Sequence, residues 1–333
     1  MKVLFIGGTG NISTAASRLA LESGVDLYLL NRGQRGMEVP GAKSLVADIN
    51  DKAAVAKAIQ GRRFDAVVNW IAFKTEDIRR DFDLFGKVTG QYVFISSASV
   101  YQKPLSTPFV TESTPLRNPY WTGYSDLKIE CENLLGDLYR QHGFPMTVVR
   151  PSLTYDTVFP VALGSWNDFT LVDRMRRGQP IVVHGDGTAL WVCTHSDDFA
   201  KGLLGLLGNA QSVGHAFHIT SDEVLTWDQI YQTIAEAAGT SADIVHIPSD
   251  FIARMEPWQL GNLHGDKAHS VIFDNAKIKR FVPGFQAVIP LRLGIRRTIR
   301  WFEEKPERMR IVEANNQLQD RLIARYREVF GKL

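Results

Sequence analysis

The stretch Val3-Leu-Phe-Ile-Gly-Gly-Thr-Gly-Asn-Ile-Ser13 decides the fold. A short apolar run, Val3 to Ile6, stops at glycines, and Ile12 to Glu22 then follows with helical spacing. Glycine spacing is informative in this context, where a strand turns directly into a helix. Gly7 permits the tight turn, Gly10 lets the backbone approach a pyrophosphate, and the N–H groups of the first helical turn face that anion. The third position of the pattern is Ser13, not glycine, and serine is still small enough for helix to pack on strand.

Working outward, apolar runs at Asp26–Leu30, Val67–Ile71, Tyr92–Ser96 and Met146–Arg150 read as further strands, with a helix over Thr75–Val88. Near-continuous apolar strands alternating with helices predict a parallel sheet covered on both faces. The expected fold class is α/β, a doubly wound parallel sheet of the Rossmann type. After Pro151 the rhythm changes to crowded aromatics, prolines and glycines, then shorter elements. A helix is expected at Ser196–Leu207 and a returning strand at Ala216–Thr220. Thr226-Trp-Asp-Gln229 has the form of a capping box opening another helix. The expected division is residues 1–156 plus about 186–220 for a dinucleotide-binding domain, and about 157–185 plus 221–333 for a smaller C-terminal substrate lobe.

The 333 residues carry 44% hydrophobic and 22% charged side chains and a net charge of +2, ordinary for a globular chain and too small to argue for nucleic acid. Two cysteines, Cys131 and Cys193, make no disulfide framework and fit a reducing cytoplasm. Met1 to Ile6 runs straight into the glycine turn, leaving no room for a signal peptide. No apolar run approaches the ~18 residues of a membrane span. The eight histidines offer no convincing metal site. His264 and His269 fall in a loop-like stretch, and His195 reads as a structural hydrogen-bonder.

A second stretch carries chemistry: Asn118-Pro-Tyr-Trp-Thr-Gly-Tyr-Ser-Asp-Leu-Lys128, at the start of a helix expected over Tyr124–Tyr139. Tyr124 and Lys128 would share one helical face, and a nearby ammonium favours a phenolate over the phenol. That is how a tyrosine becomes a general base near neutral pH. A third stretch, Phe94-Ile-Ser-Ser-Ala-Ser-Val-Tyr101, ends a buried strand in hydroxyls at the edge where α/β sheets bind ligands. The end of the second strand reads Asn31-Arg32-Gly33-Gln34-Arg35, with no carboxylate to bind a ribose 2′-hydroxyl and an arginine suited to a 2′-phosphate. NADP(H) is therefore expected over NAD(H). Asp48, in Val46-Ala-Asp-Ile49, would reach the adenine amino group or cap the helix from Lys52.

With glycine turn, serine cluster and Tyr124/Lys128 in that order, the chain resembles the extended short-chain dehydrogenase/reductases, the NAD-dependent epimerase/dehydratase family. Val149-Arg-Pro151, Gly185-Asp-Gly-Thr188, His195-Ser-Asp-Asp198 and Leu225-Thr-Trp227 match the family's later landmarks. The resemblance implies Ser97 as the serine that binds the reacting oxygen, Tyr124 as general acid/base, and Lys128 as the residue that lowers its pKa. It places the cofactor against Gly7, Thr9, Gly10, Asn11, Ile12, Asn31, Arg32, Asp48, Ile49, Ala72, Pro151 and Leu153, besides Tyr124 and Lys128. It implies an oxidoreductase or epimerase acting on a sugar-like or other hydroxy/carbonyl small molecule, and a homodimer through the helices near Thr75–Val88 and Tyr124–Tyr139.

The chain departs from the family twice. Where the resembling dehydratases carry an Asp-Glu pair, this chain has Ala98-Ser99, which disfavours dehydration. Where nucleotide-sugar epimerases place a diphosphate-clamping arginine, Trp191 stands, suited to stacking on a ring, unless Arg150 or an arginine of the second lobe substitutes for the clamp. Ser99, Trp121 and Trp191 are candidate substrate contacts, and Tyr155 and Trp166 candidate pocket aromatics. The rival reading is a non-catalytic dinucleotide-binding or RNA-associated protein on the same fold, against which an intact Ser97, Tyr124 and Lys128 argue.

Overall fold

The computed structural model describes residues 1–33 and 39–331; Gln34 and Arg35 of the expected phosphate-binding loop lie outside them. The first half forms β1 (Lys2–Ile6), α1 (Asn11–Glu22), β2 (Asp26–Asn31), β3 (Lys43–Val46), α2 (Lys52–Ile59), β4 (Ala66–Asn69), α3 (Thr75–Phe85), β5 (Tyr92–Ile95) and α4 (Ser125–His142). Strands Met146–Arg150 and Ala216–His218 complete a seven-stranded sheet. From one edge it runs Ala216–His218, Met146–Arg150, β5, β4, β1, β2, β3, every pairing parallel. This is the doubly wound α/β fold that the sequence predicts.

Both faces of the sheet are buried because side chains alternate along each strand. Along β1, Val3 and Phe5 join the core under α1 and the helix Ser196–Leu206, while Leu4 and Ile6 join the core under α2, α3 and α4. A third core gathers Trp191, Trp227, Phe159, Phe169 and Phe302 with residues of the last helix, such as Leu322. Two small pairings tie distant segments into this second layer: Phe109–Val110 with Ile272–Phe273, and Leu190–Trp191 with Leu225–Thr226. The Thr226 capping box forms as expected, with Gln229 N donating to Thr226 Oγ1 at 3.1 Å and Thr226 N to Gln229 Oε1 at 2.8 Å.

The winding direction reverses between β1 and β4, so a crevice opens at their carboxyl ends, where such sheets bind ligands. Among the described residues no helix is long and apolar enough to cross a membrane.

Candidate active site

Gly7 and Gly8 leave β1 at φ +93° and +106°, in the left-handed region that a side chain would strain. A Cβ on Gly7 would stand 3.3 Å from Ile71 Cγ2, so the turn presses against the loop after β4. α1 then starts with its first residues, Asn11, Ile12 and Ser13, lining a cavity of about 920 Å³. Asn11 fixes the turn against the segment after Pro151, donating to Thr154 O at 3.0 Å and accepting from Thr157 N at 3.3 Å.

The same cavity reaches Ser97, Ser99, Trp121 and Tyr124. Glycine turn and hydroxyl cluster thus open into one space, although they lie about a quarter of the chain apart. The turn also fits a dinucleotide chemically: small residues, a helix N-terminus aimed at the cavity, and no carboxylate among Gly7 to Ser13. Pro151 and Leu153 line the cavity as well, and Ala72 is buried behind it.

Tyr124 is not inside the helix. It is the N-cap of α4 with φ −133° and ψ −69°, following Gly123 at φ +81°. Its ring lies 4.7 Å from that of Trp121 and 5.9 Å from that of Phe73. Burial raises its phenol above the usual range, a hydrogen bond with Ser97 works the other way, and the charge of Asp266 adds to the rise. The sequence expectation was a phenol pulled down by Lys128. Lys128 instead turns its ammonium to the carbonyls of Ala72 and Ile95, at 2.8 and 2.9 Å, and over the Phe73 ring at 3.9 Å. Burial pushes its own pKa down from 10.5 to about 8. Placing Tyr124 at the cap breaks the helical geometry on which the expected pairing rested.

Ser97 Oγ is 3.0 Å from Ser99 Oγ, which accepts from Ser125 Oγ at 2.8 Å. Asn118 anchors this chain of hydroxyls, donating to Ser99 O at 2.7 Å, to Ser125 Oγ at 3.3 Å and to Gly265 O at 2.6 Å. Ser99 is 3% exposed, so it acts through Ser97 more than on a ligand directly.

Several expected residues lie elsewhere. Trp191 is 1% exposed and stacked on Trp227 at 5.5 Å; it belongs to the third core, because its short strand points the indole inward. Tyr155 is likewise buried, packed against His195, whereas Trp166 does line the cavity. Arg150 is locked to Glu132, with Nη2 and Nε donating at 2.6 and 3.1 Å, so it offers no diphosphate clamp. Asp48 does not cap α2: Asp51 does, accepting from Ala54 N at 3.0 Å, while Asp48 is exposed and accepts from Asn50 N at 2.9 Å. Asn31 accepts from Gly33 N at 2.9 Å, and Arg32 is exposed beyond the carboxyl end of β2. Ile49 is buried in the core under α2, α3 and α4.

The opposite wall was not foreseen. The stretch expected as a loop is helical: Gln259–Asn262 leads into a π-helical turn, Leu263–Lys267, and His264 Nε2 stands 3.1 Å from Asp250 Oδ1. Turns of this type often mark functional sites. It carries Asn262, Asp266 and Lys267 into the cavity. Gly261 makes the approach feasible, since a Cβ there would come within 2.5 Å of Trp121 Cδ1. The sequence signal was a pair of glycines, Gly261 and Gly265, spaced for one helical face and interleaved with polar residues. Asp266 also brings a carboxylate beside Tyr124, so the missing acid at Ala98-Ser99 weighs less against dehydration than the sequence alone implied.

Residues 82–220 match the family model described as "NAD dependent epimerase/dehydratase family". That match spans less than half of the 333 residues. It is 26% identical over 266 residues, 75% of this chain and 67% of the other, to the chloroplast stem-loop binding protein of 41 kDa b of Arabidopsis thaliana. It is 23% identical over 288 residues, 86% and 80% of the two chains, to the 2′-dehydrokanamycin reductase of Streptomyces kanamyceticus. Among solved structures, an epimerase from Methanothermobacter thermautotrophicus superposes with a TM-score of 0.73 at 18% identity, covering 92% of this chain and 94% of that one. The dTDP-glucose 4,6-dehydratase of Bacillus anthracis, in complex with NAD, superposes with a TM-score of 0.71 at 18% identity over 92% and 98%. These two structures share the fold of this chain over nine tenths of its length.

Proposed function

We propose that this chain is a nicotinamide-dependent oxidoreductase or epimerase acting on a hydroxy or carbonyl group of a sugar-like small molecule. The observation that carries the reading is the single cavity shared by the glycine turn, Ser97 and Tyr124. The dinucleotide would be held by Gly7, Thr9, Gly10, Asn11 and Ile12, with Pro151 and Leu153 flanking it and Ala72 and Lys128 behind. When bound it supplies the hydride acceptor or donor.

The chain's own residues do the rest. Ser97 donates to the reacting oxygen, and Tyr124 takes or returns its proton. Ser99, Ser125 and Asn118 hold Ser97 in place. Lys128, held by two carbonyls, fixes the start of α4 against the carboxyl ends of the sheet. Its ammonium is spent on those carbonyls and on the Phe73 ring and does not pair with the Tyr124 phenol. Arg32, at the end of β2 in the stretch Asn31 to Arg35, whose sequence holds no acid, favours NADP over NAD. A dehydratase remains the less favoured outcome, and a homodimer through α3 and α4 belongs to the same reading.

The test is Tyr124→Phe assayed with sugar alcohols and ketoses at the reduced-nicotinamide absorbance band. Turnover should be lost while cofactor affinity stays within about twofold; retained turnover refutes the assignment. An epimerase would show product with no net absorbance change.

One observation favours a second reading, the similarity to a stem-loop binding protein over three quarters of the chain. RNA affinity requires clustered cations, and the net charge is only +2. A gel shift that weakens steeply with salt would establish it.

A further inference from the structure

The wall opposite Ser97 sets the kind of substrate. Among the described residues its charged side chains lining the cavity are Asp168, Asp266 and Lys267, two carboxylates against one ammonium, and Lys103, buried and not lining the cavity, lies within electrostatic reach of Asp266 and Lys267. Lys267 is already engaged, with Nζ donating to Asn262 Oδ1 at 2.8 Å and to Asp266 Oδ2 at 3.0 Å. Arg150, the nearest arginine in the adjoining strand, is committed to Glu132. A nucleotide diphosphate brings two negative charges, and burying them without cationic partners is strongly unfavourable.

The polar groups left over point to the opposite charge. Oδ2 of Asp266 holds Lys267, and among the described residues no donor meets its Oδ1. The rim carries two partly exposed indoles, Trp166 at 38% and Trp258 at 61% exposure. Exposed indoles lining a cavity are platforms for the apolar face of a sugar ring. We propose that the site takes a phosphate-free sugar bearing a protonated amine, with the amine on Asp266 and the ring against Trp166 and Trp258.

This inference rests on the oxidoreductase reading and adds a coupling to it. The charge of Asp266 holds the Tyr124 phenol up. An ammonium bound to Asp266 cancels that charge, so the right substrate eases deprotonation of the base that acts on it.

The experiment is calorimetric titration of the full chain with glucosamine, glucose and UDP-glucose, each with and without NADPH. Glucosamine should bind at least tenfold more tightly than glucose, with UDP-glucose no tighter than glucose. Asp266→Asn should reduce glucosamine to the affinity of glucose, and Trp258→Ala, at an exposed site, should weaken both sugars severalfold. Tightest binding by UDP-glucose, equal binding of glucosamine and glucose, or no sugar binding overturns the proposal. If neither NADPH nor NADH binds, the oxidoreductase reading falls, and the titrations without cofactor still decide the sugar preference.

Discussion

Lys128→Met separates the role that the structure gives this lysine from the one that the motif implies. The ammonium is buried on two carbonyls, and its pKa falls from 10.5 to about 8. Each pKa unit is about 1.4 kcal/mol, so keeping the charge inside at pH 7 costs about 3 kcal/mol relative to the unfolded chain. Replacement by methionine removes that penalty but leaves Ala72 O and Ile95 O without this donor, at about 1–3 kcal/mol each. At pH 7 the two effects nearly offset, and the variant should lie between neutral and about 3 kcal/mol less stable. The sign of the pH dependence is sharper. Between pH 8 and 10.5 the unfolded chain holds a proton that the folded one has lost, so wild-type stability rises with pH there. Urea denaturation of both proteins from pH 7 to 10.5 should show the wild type gaining about 3 kcal/mol on the variant. Parallel curves would refute the buried-cation assignment.

Three further outcomes follow from neighbouring groups. Glu132→Gln leaves the buried Arg150 guanidinium without its carboxylate and should cost about 3–5 kcal/mol by denaturant unfolding. Asp156 has its pKa raised by burial and then by Asp197 to about 6; the folded state therefore keeps a proton between pH 4 and 6, stability falls as pH rises through that window, and Asp156→Asn should remove that part of the slope. Arg32→Ala should weaken NADPH about tenfold and leave NADH unchanged; an equal loss for both would remove the 2′-phosphate role.

The frame was legible because its strands are apolar on both faces and its glycines sit at the first crossover. β3 was missed because Lys43–Val46 is an edge strand with three of its residues exposed, so it lacks that apolar signature. Trp191 was misplaced because spacing from a glycine landmark gives position along the chain and says nothing about which way a side chain faces. The Tyr124–Lys128 spacing was read as one helical face, but the helix begins a residue later, and two carbonyls compete for the ammonium. Asp266 and Lys267 were invisible as site residues because they arrive from well over a hundred residues away, on a π-helical turn with no local periodicity to announce it. The close approaches at Gly261 and Gly265 show this turn pressed onto Trp121.

The central claim is that the Tyr124 phenol is a base facing the nicotinamide end of a cofactor seated on the first glycine turn. Titrating ring-labelled tyrosine by NMR, with Tyr124→Phe assigning the signal, tests it without knowledge of the substrate. In the free protein Tyr124 should titrate above the ordinary range near 10. Saturation with oxidised cofactor, whose nicotinamide is positively charged, should bring that value down by a unit or more. A Tyr124 signal that titrates identically with and without cofactor would contradict the account.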